Sequence, residues 1–220
     1  MKLIEELKKM DTASISDAMD KLGIPCGLLG IQAVIPGKKI CGDAFTVHYV
    51  PCGMEKGTVG DFIYDVKPGQ VVVIDNAGRT YCTVWGDIMT FTAKTKNIEG
   101  TVIDGVCRDV DGIRTLDYPI YTKGKYMVTG KERVQVDAVN CPVAISGVQV
   151  RPGDIILGDE SGVICIPREK AEEILEIARH IEEVEQKIIA EVRNGSTLKD
   201  ARKKLGYHSL QSKQEEGKDE

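Results

Sequence analysis

Apolar residues recur at two different spacings along the chain, and the switch between them marks the elements. Leu3, Ile4, Leu7 and Met10 sit at helical spacing among charged neighbours and predict a helix over residues 3–10. A second helix is predicted over 15–22, opened by Ser14 with Asp17 three residues on and closed by Gly23. From residue 31 to 166 the pattern shortens to β-rich runs at 40–50, 71–75, 101–104, 133–139, 143–150, 154–157 and 163–166, set apart by Gly, Pro and Asp clusters. Between these runs, residues 87–96 have helical spacing with Ile88 and Phe91 on one face, and 109–116 read as another short helix. Beyond Pro167, Ala171, Ile174, Leu175, Ala178, Ile181, Val184, Ile188 and Val192 form one apolar stripe of a long amphipathic helix that Asn194-Gly195 ends. A last short helix is predicted over 198–205, and 211–220 contains no apolar residue and is expected to be a disordered tail.

Two stretches resemble each other, DVKPGQVVVIDNAG at 65–78 and QVRPGDIILGDESG at 149–162. Each is a Pro-Gly turn feeding an apolar strand that ends in an acidic turn. The likeness is too short for a duplicated domain, and residues 1–210 are expected to form one.

Composition narrows the chemistry. The seven cysteines are scattered singly with no CxxC pair, which points to reduced thiols and to neither a disulfide framework nor a zinc knuckle. The three histidines stand in no metal-ligand spacing, so any metal is expected to be oxygen-ligated. A net charge of −5 without a basic cluster argues against nucleic acid as a partner. The amino-terminal segment has no unbroken apolar stretch of the kind a signal peptide or membrane span needs, so the expectation is a cytoplasmic protein without a membrane partner.

Two loop-to-helix junctions carry the candidate chemistry. In TVIDGVCRDVDG, residues 101–112, an apolar strand delivers Arg108 beside Asp109 where a helix should start. Arg can clamp a substrate carboxylate bidentately while Asp offers a hard oxygen to Mg²⁺ or Mn²⁺. The plainer alternative is a helix N-cap next to a surface ion pair. In TYCTVWGDIMT, residues 80–90, a Gly86-Asp87 pair opens a helix whose Ile88 and Met89 amides could face an anion. Asp87 could orient metal-bound water there or simply cap the helix, and Trp85 reads as a packing residue. Asp17 and Asp43 read as capping and turn residues, Gly78 and Arg79 as a pocket mouth or a tight turn, and His48 as a strand residue with no assigned role.

Trp85-Gly86-Asp87 followed by Arg108-Asp109, 21 and 22 residues after that aspartate, resembles the signature of the RraA-like family. So do SISDAMDKLG at 14–23, GDAFTV at 42–47, VVVIDNAG at 71–78, GTVIDGVCRDVDGI at 100–113 and PGDIILGDESGVICIP at 152–167, in the family's order. Thr83 stands where that signature often carries Gly. The resemblance implies an α/β fold, a swivelling β/β/α domain or αββα-type sandwich with N-terminal helices and a long C-terminal helix. It implies a class II pyruvate aldolase, cleaving 4-hydroxy-4-methyl-2-oxoglutarate-like 4-hydroxy-2-oxo acids to pyruvate and decarboxylating oxaloacetate, in a homotrimer or homohexamer whose subunit junctions complete the site. Under it Asp109 ligates a divalent cation, Mg²⁺ or Mn²⁺, Arg108 contacts the pyruvyl group, Asp87 holds metal-bound water, and the amides after Gly86 and Asp87, those of Ile88 and Met89, receive the substrate carboxylate. The family also holds non-catalytic regulators of ribonuclease E. Retention of Asp87, Arg108 and Asp109 together favours the enzyme.

Overall fold

The computed structural model describes residues 2–207. The tail expected at 211–220 lies outside the described residues. Two N-terminal helices, α1 (Lys2–Leu7) and α2 (Thr12–Lys21), precede the strands β1 (Gln32–Ala33), β2 (Ile40–Pro51) and β3 (Val71–Thr83). Helix α3 (Asp87–Thr95), strand β4 (Gly100–Cys107), helix α4 (Val110–Thr115) and strand β5 (Ile120–Lys125) continue the chain. Five short strands follow, β6 (Val134–Val139), β7 (Val143–Ile145), β8 (Val148–Val150), β9 (Ile155–Asp159) and β10 (Gly162–Ile166), then helices α5 (Ala171–Arg193) and α6 (Leu198–Lys204).

Strand β2 organises the rest. Its first half pairs antiparallel with β9, its second half antiparallel with β6, and its middle runs parallel to β3 with Ala44 opposite Val71. Strands β3, β4 and β5 extend the parallel order, and helices α3 and α4 are the crossovers between them. Because successive strand side chains point to opposite faces, the apolar runs supply two cores at once. Val72, Ile74 and Ile103 pack with Trp85, Ala93 and Ile113 on the helix side. Val71, Val73 and Val102 pack on the other side with Ile156, Val163 and Ile145. Strand β9 repeats the division: Ile155 and Leu157 turn away from Ile156 to meet Ile15, Ile174 and Ile181 of α2 and α5. The layers are therefore helix, sheet, sheet, helix, the αββα sandwich that the sequence implied.

Several expectations need correction. Helix α2 begins at Thr12, not after Ser14, because the Asp11 carboxylate accepts the Ser14 N–H at 2.7 Å and is itself the cap. Strand β3 does not stop at Asp75: Ala77 and Gly78 take positive φ values of 48° and 66°, the pairing slips, and the strand resumes to Thr83. Strand β5 had no counterpart among the predicted runs. The two Pro-Gly units do play parallel parts, since they feed β3 and β9, both partners of β2, with Gly69 at φ 78° and Gly153 at φ 85°. The stripe of α5 is buried from Ala171 to Ile188, but Val192 is exposed. Among the described residues no helix is long and apolar enough to cross a membrane.

Candidate active site

Strands β3 and β4 end side by side, and the segments leaving them supply both candidate junctions. A cavity of about 380 Å³ opens at these C-terminal ends, lined by Trp85, Gly86, Asp87, Ile88, Met89, Arg108 and Asp109. The sequence reading had named all seven, and the fold brings them together. C-terminal strand ends are where α/β sheets usually bind ligands. The opposite wall, Gly57 to Gly60 with Thr129 and Lys131, had not been singled out. Only the Gly-rich composition of 53–60 marked it, and such a loop has no periodicity that would aim it at a site.

Asp109 stands at the N-cap position of α4 but does not cap it. Its backbone is left-handed (φ 56°, ψ 42°), and its side chain makes no capping bond. A non-glycine residue pays for that conformation with about 1 kcal/mol or more. Instead Oδ2 accepts the Asp87 N–H at 3.3 Å and lies 3.3 Å from Arg108 Nε. That approach requires Gly86, where a Cβ would fall 2.5 Å from Asp109 Oδ2 and 3.4 Å from Arg108 Nε. Arg108 is tied down by its own backbone, whose N–H donates to the Trp85 carbonyl at 3.0 Å.

Asp87 is the first helical residue of α3, with Gly86 at the cap position. Its Oδ1 accepts the adjacent Ile88 N–H at 2.8 Å, so in this arrangement its own carboxylate occupies one of the amides expected to face an anion. The Asp87 and Ile88 amides are thus engaged with carboxylate oxygens, as a helix N-terminus favours. Gly112 lets α4 close on this corner, since a Cβ there would sit 3.1 Å from that of Asp87. Trp85 is buried against Tyr118 with ring centroids 6.2 Å apart and planes 4° from parallel, a packing residue as expected.

The apolar face expected on α3 points the wrong way. Ile88 and Phe91 are 78% and 62% exposed, whereas Thr90 and Ala93 are fully buried. The small side chains let the helix lie close to the sheet, and Trp85 fills the space that a large residue on α3 would need.

Among the described residues no three His, Cys, Asp or Glu side chains converge as a metal cluster. The cavity's acidic donors are Asp87 and Asp109, with no His or Cys on its wall. Such a set suits a hard cation that keeps several waters and does not suit structural zinc. Elsewhere, Asp43 is ion-paired with Arg168 at 2.6 Å, and His48 Nδ1 lies at hydrogen-bond distance, 3.1 Å, from Asp137 Oδ2. Arg79 donates to the carbonyls of Tyr49 and Asn76, a turn-bracing role away from the cavity wall.

Fold and site together define a four-layer α/β/β/α domain with an arginine–carboxylate pair in a cleft at the ends of its parallel strands. Residues 12–165 match the RraA-like (aldolase/RraA) family, and the chain belongs to that family. A relative from Halalkalibacterium halodurans, called "Putative 4-hydroxy-4-methyl-2-oxoglutarate aldolase", is 34% identical over 176 residues, 80% of this chain and 81% of its own. Protein DlpA of Legionella pneumophila is 42% identical over 209 residues, 93% of this chain, and the match spans only 34% of DlpA's length. Among solved structures, an uncharacterised Pseudomonas syringae protein superimposes with a TM-score of 0.85 at 43% identity, covering 91% of this chain and 96% of its own. Streptomyces coelicolor RraAS2, described as an unusual member of the RNase ES inhibitor RraA family, gives 0.79 at 29% identity, covering 84% and 94%.

Proposed function

We propose that this protein is a divalent-metal-dependent carbon–carbon lyase that releases pyruvate from a 4-hydroxy-2-oxo acid and decarboxylates oxaloacetate. The observation that carries the reading is Asp109: it is held in a strained backbone, gives no helix cap, and is turned into the cavity beside Arg108. Strain kept without a structural return marks a functional position. Its second oxygen, Oδ1, would be the donor to a cation, and Asp87 would hold water around it. When bound, Mg²⁺ or Mn²⁺ would act as a Lewis acid on the substrate's oxo group.

Breaking the bond β to the ketone, whether to an aldol fragment or to carbon dioxide, leaves the same pyruvate enolate. Arg108 commits Nε to Asp109 and keeps its terminal nitrogens for the substrate, where a fixed guanidinium stabilises the charge that develops on oxygen. The Met89 amide, in the first turn of α3, would receive the substrate carboxylate. Exposed Ile88 and Phe91 beside the cavity suit a subunit junction, and a homotrimer or homohexamer is part of the proposal. The name of the Halalkalibacterium relative supports the aldolase; that of RraAS2 supports an alternative, a non-catalytic regulator of an RNase E-type enzyme.

The test is pyruvate release from oxaloacetate and from 4-hydroxy-4-methyl-2-oxoglutarate with Mg²⁺, with Mn²⁺ and after EDTA, comparing wild type with Arg108→Ala. Metal-dependent release that the variant loses is expected. No release from either compound with either metal would favour the regulator.

A further inference from the structure

Helix α3 carries three threonines, Thr90, Thr92 and Thr95, and only one of them is wired into the site. Thr92 and Thr95 donate to carbonyls four residues back, at 2.9 Å each, from exposed positions, an ordinary habit of helical threonine. Thr90 makes the same bond, to the Gly86 carbonyl at 2.8 Å, but it is fully buried and also accepts the Trp85 indole N–H at 2.9 Å. Its hydroxyl thus serves at once as donor and as acceptor.

The Gly86 carbonyl and the Asp87 N–H belong to one planar trans peptide and point in opposite directions. Fixing the carbonyl therefore aims the N–H. Thr90 holds that carbonyl through its hydroxyl at 2.8 Å and its backbone N–H at 3.0 Å, and the opposite end of the same peptide delivers its N–H to Asp109 Oδ2. The preceding peptide is held as well, because the Trp85 carbonyl accepts the Arg108 N–H at 3.0 Å. The indole that anchors Thr90 stacks on Tyr118, whose hydroxyl lies 3.0 Å from Thr101 Oγ1 on β4. A buried strut thus runs from β4 through Tyr118, Trp85 and Thr90 to the corner that faces Asp109.

We infer that Thr90 is a positioning residue: its hydroxyl, braced by Trp85, sets the Gly86–Asp87 peptide and through it the placement of Asp109 and Arg108. The turnover part of this inference rests on the proposed lyase; the geometric part does not. Thr90→Val keeps the shape and removes both hydroxyl bonds, and Thr90→Ser keeps the hydroxyl. Two readouts are taken on each protein. Amide hydrogen exchange by NMR follows Asp87 and Arg108, with the Val102 and Ile103 amides of β4 as internal reference. Pyruvate release from oxaloacetate gives kcat and KM.

In Thr90→Val, exchange at Asp87 and Arg108 is expected to quicken at least about tenfold relative to β4, and kcat to fall about 10- to 100-fold with little change in KM. Thr90→Ser should stay within about threefold of wild type in both, since the hydroxyl does the work. Trp85, the only tryptophan, reports the lost indole bond as an emission shift in Val and not in Ser. Unchanged exchange at Asp87 and Arg108 in Thr90→Val overturns the inference whatever the activity. So does quickened exchange with an unchanged kcat. If wild type itself releases no pyruvate, the lyase reading falls, and the exchange data alone decide whether Thr90 sets the corner. Should Thr90→Val fail to fold, Thr90→Ala, which removes the same two hydroxyl bonds and keeps Trp85 as the reporter, gives the same comparison.

Discussion

Asp109 and Gly86 face each other across a gap that admits no methyl group, and substitution at either position should cost activity without unfolding the protein. Asp109→Gly relieves a left-handed backbone and should leave the protein as stable as wild type or more so, by up to about 1 kcal/mol in thermal unfolding, while pyruvate release is lost. Such a gain on deleting a side chain is what a residue kept for function rather than for the fold predicts. Gly86→Ala should cost activity from the other side of the gap. Its Cβ would stand 2.5 Å from Asp109 Oδ2, so the carboxylate must move, and kcat/KM should drop about a hundredfold with a well-folded product. At this scale the sequence was informative about identity and silent about geometry. Asp87, Arg108 and Asp109 could be picked out from their place at strand ends, but residue type alone could not separate a capping Asp109 from one turned away from its helix. Thr90 was invisible, because a threonine in a helical run carries no sign of whether its hydroxyl braces a neighbouring peptide.

Helix α5 shows why some elements were legible and others were not. Its stripe is long and regular, and seven of its apolar residues are buried as the 3.6-residue period requires. Truncating one, Ile174→Ala, should cost about 2–4 kcal/mol in denaturant unfolding and leave kcat of the folded protein unchanged, because α5 packs on the layer away from the cavity. Strand β5 and the second half of β3 escaped because Pro119, Gly124 and the Asn76 to Arg79 turn interrupt patterns too short to outweigh them. Helix α3 was found but turned inside out, since periodicity gives a face and tertiary packing decides which way it looks.

Glu185 on α5 supplies a pH test at the same scale. Burial, then Asp17, Asp11 and Glu182, raise its pKa above the ordinary value of 4.5. The folded state therefore holds this proton more tightly than the unfolded chain, so its contribution is greatest below 4.5 and is lost as pH rises through the raised value. Glu185→Gln should melt at a higher temperature than wild type at pH 7, and that advantage should vanish at pH 4; an equal difference at both would assign the effect to packing.

Across the whole molecule, the four layers divide labour. The α1, α2 and α5 layer closes one core on β9 and β10, β2 to β5 with α3 and α4 build a second and carry the cleft at their C-terminal ends, and a third lies between the two sheet layers. The αββα order itself came from the resemblance of several sequence blocks taken together. Strand pairing between residues as distant as Ile40 and Gly158 leaves no local trace. Metal-dependent chemistry at that cleft is the central claim, and it turns on one carboxylate. The most direct measurement is the rate of pyruvate formation from oxaloacetate against Mn²⁺ concentration, corrected for the protein-free reaction, for wild type and Asp109→Asn. Wild type should show a saturable Mn²⁺-dependent rate that EDTA removes, and Asp109→Asn, melting at the same temperature, should show none. A variant that responds to Mn²⁺ as wild type does would contradict the account.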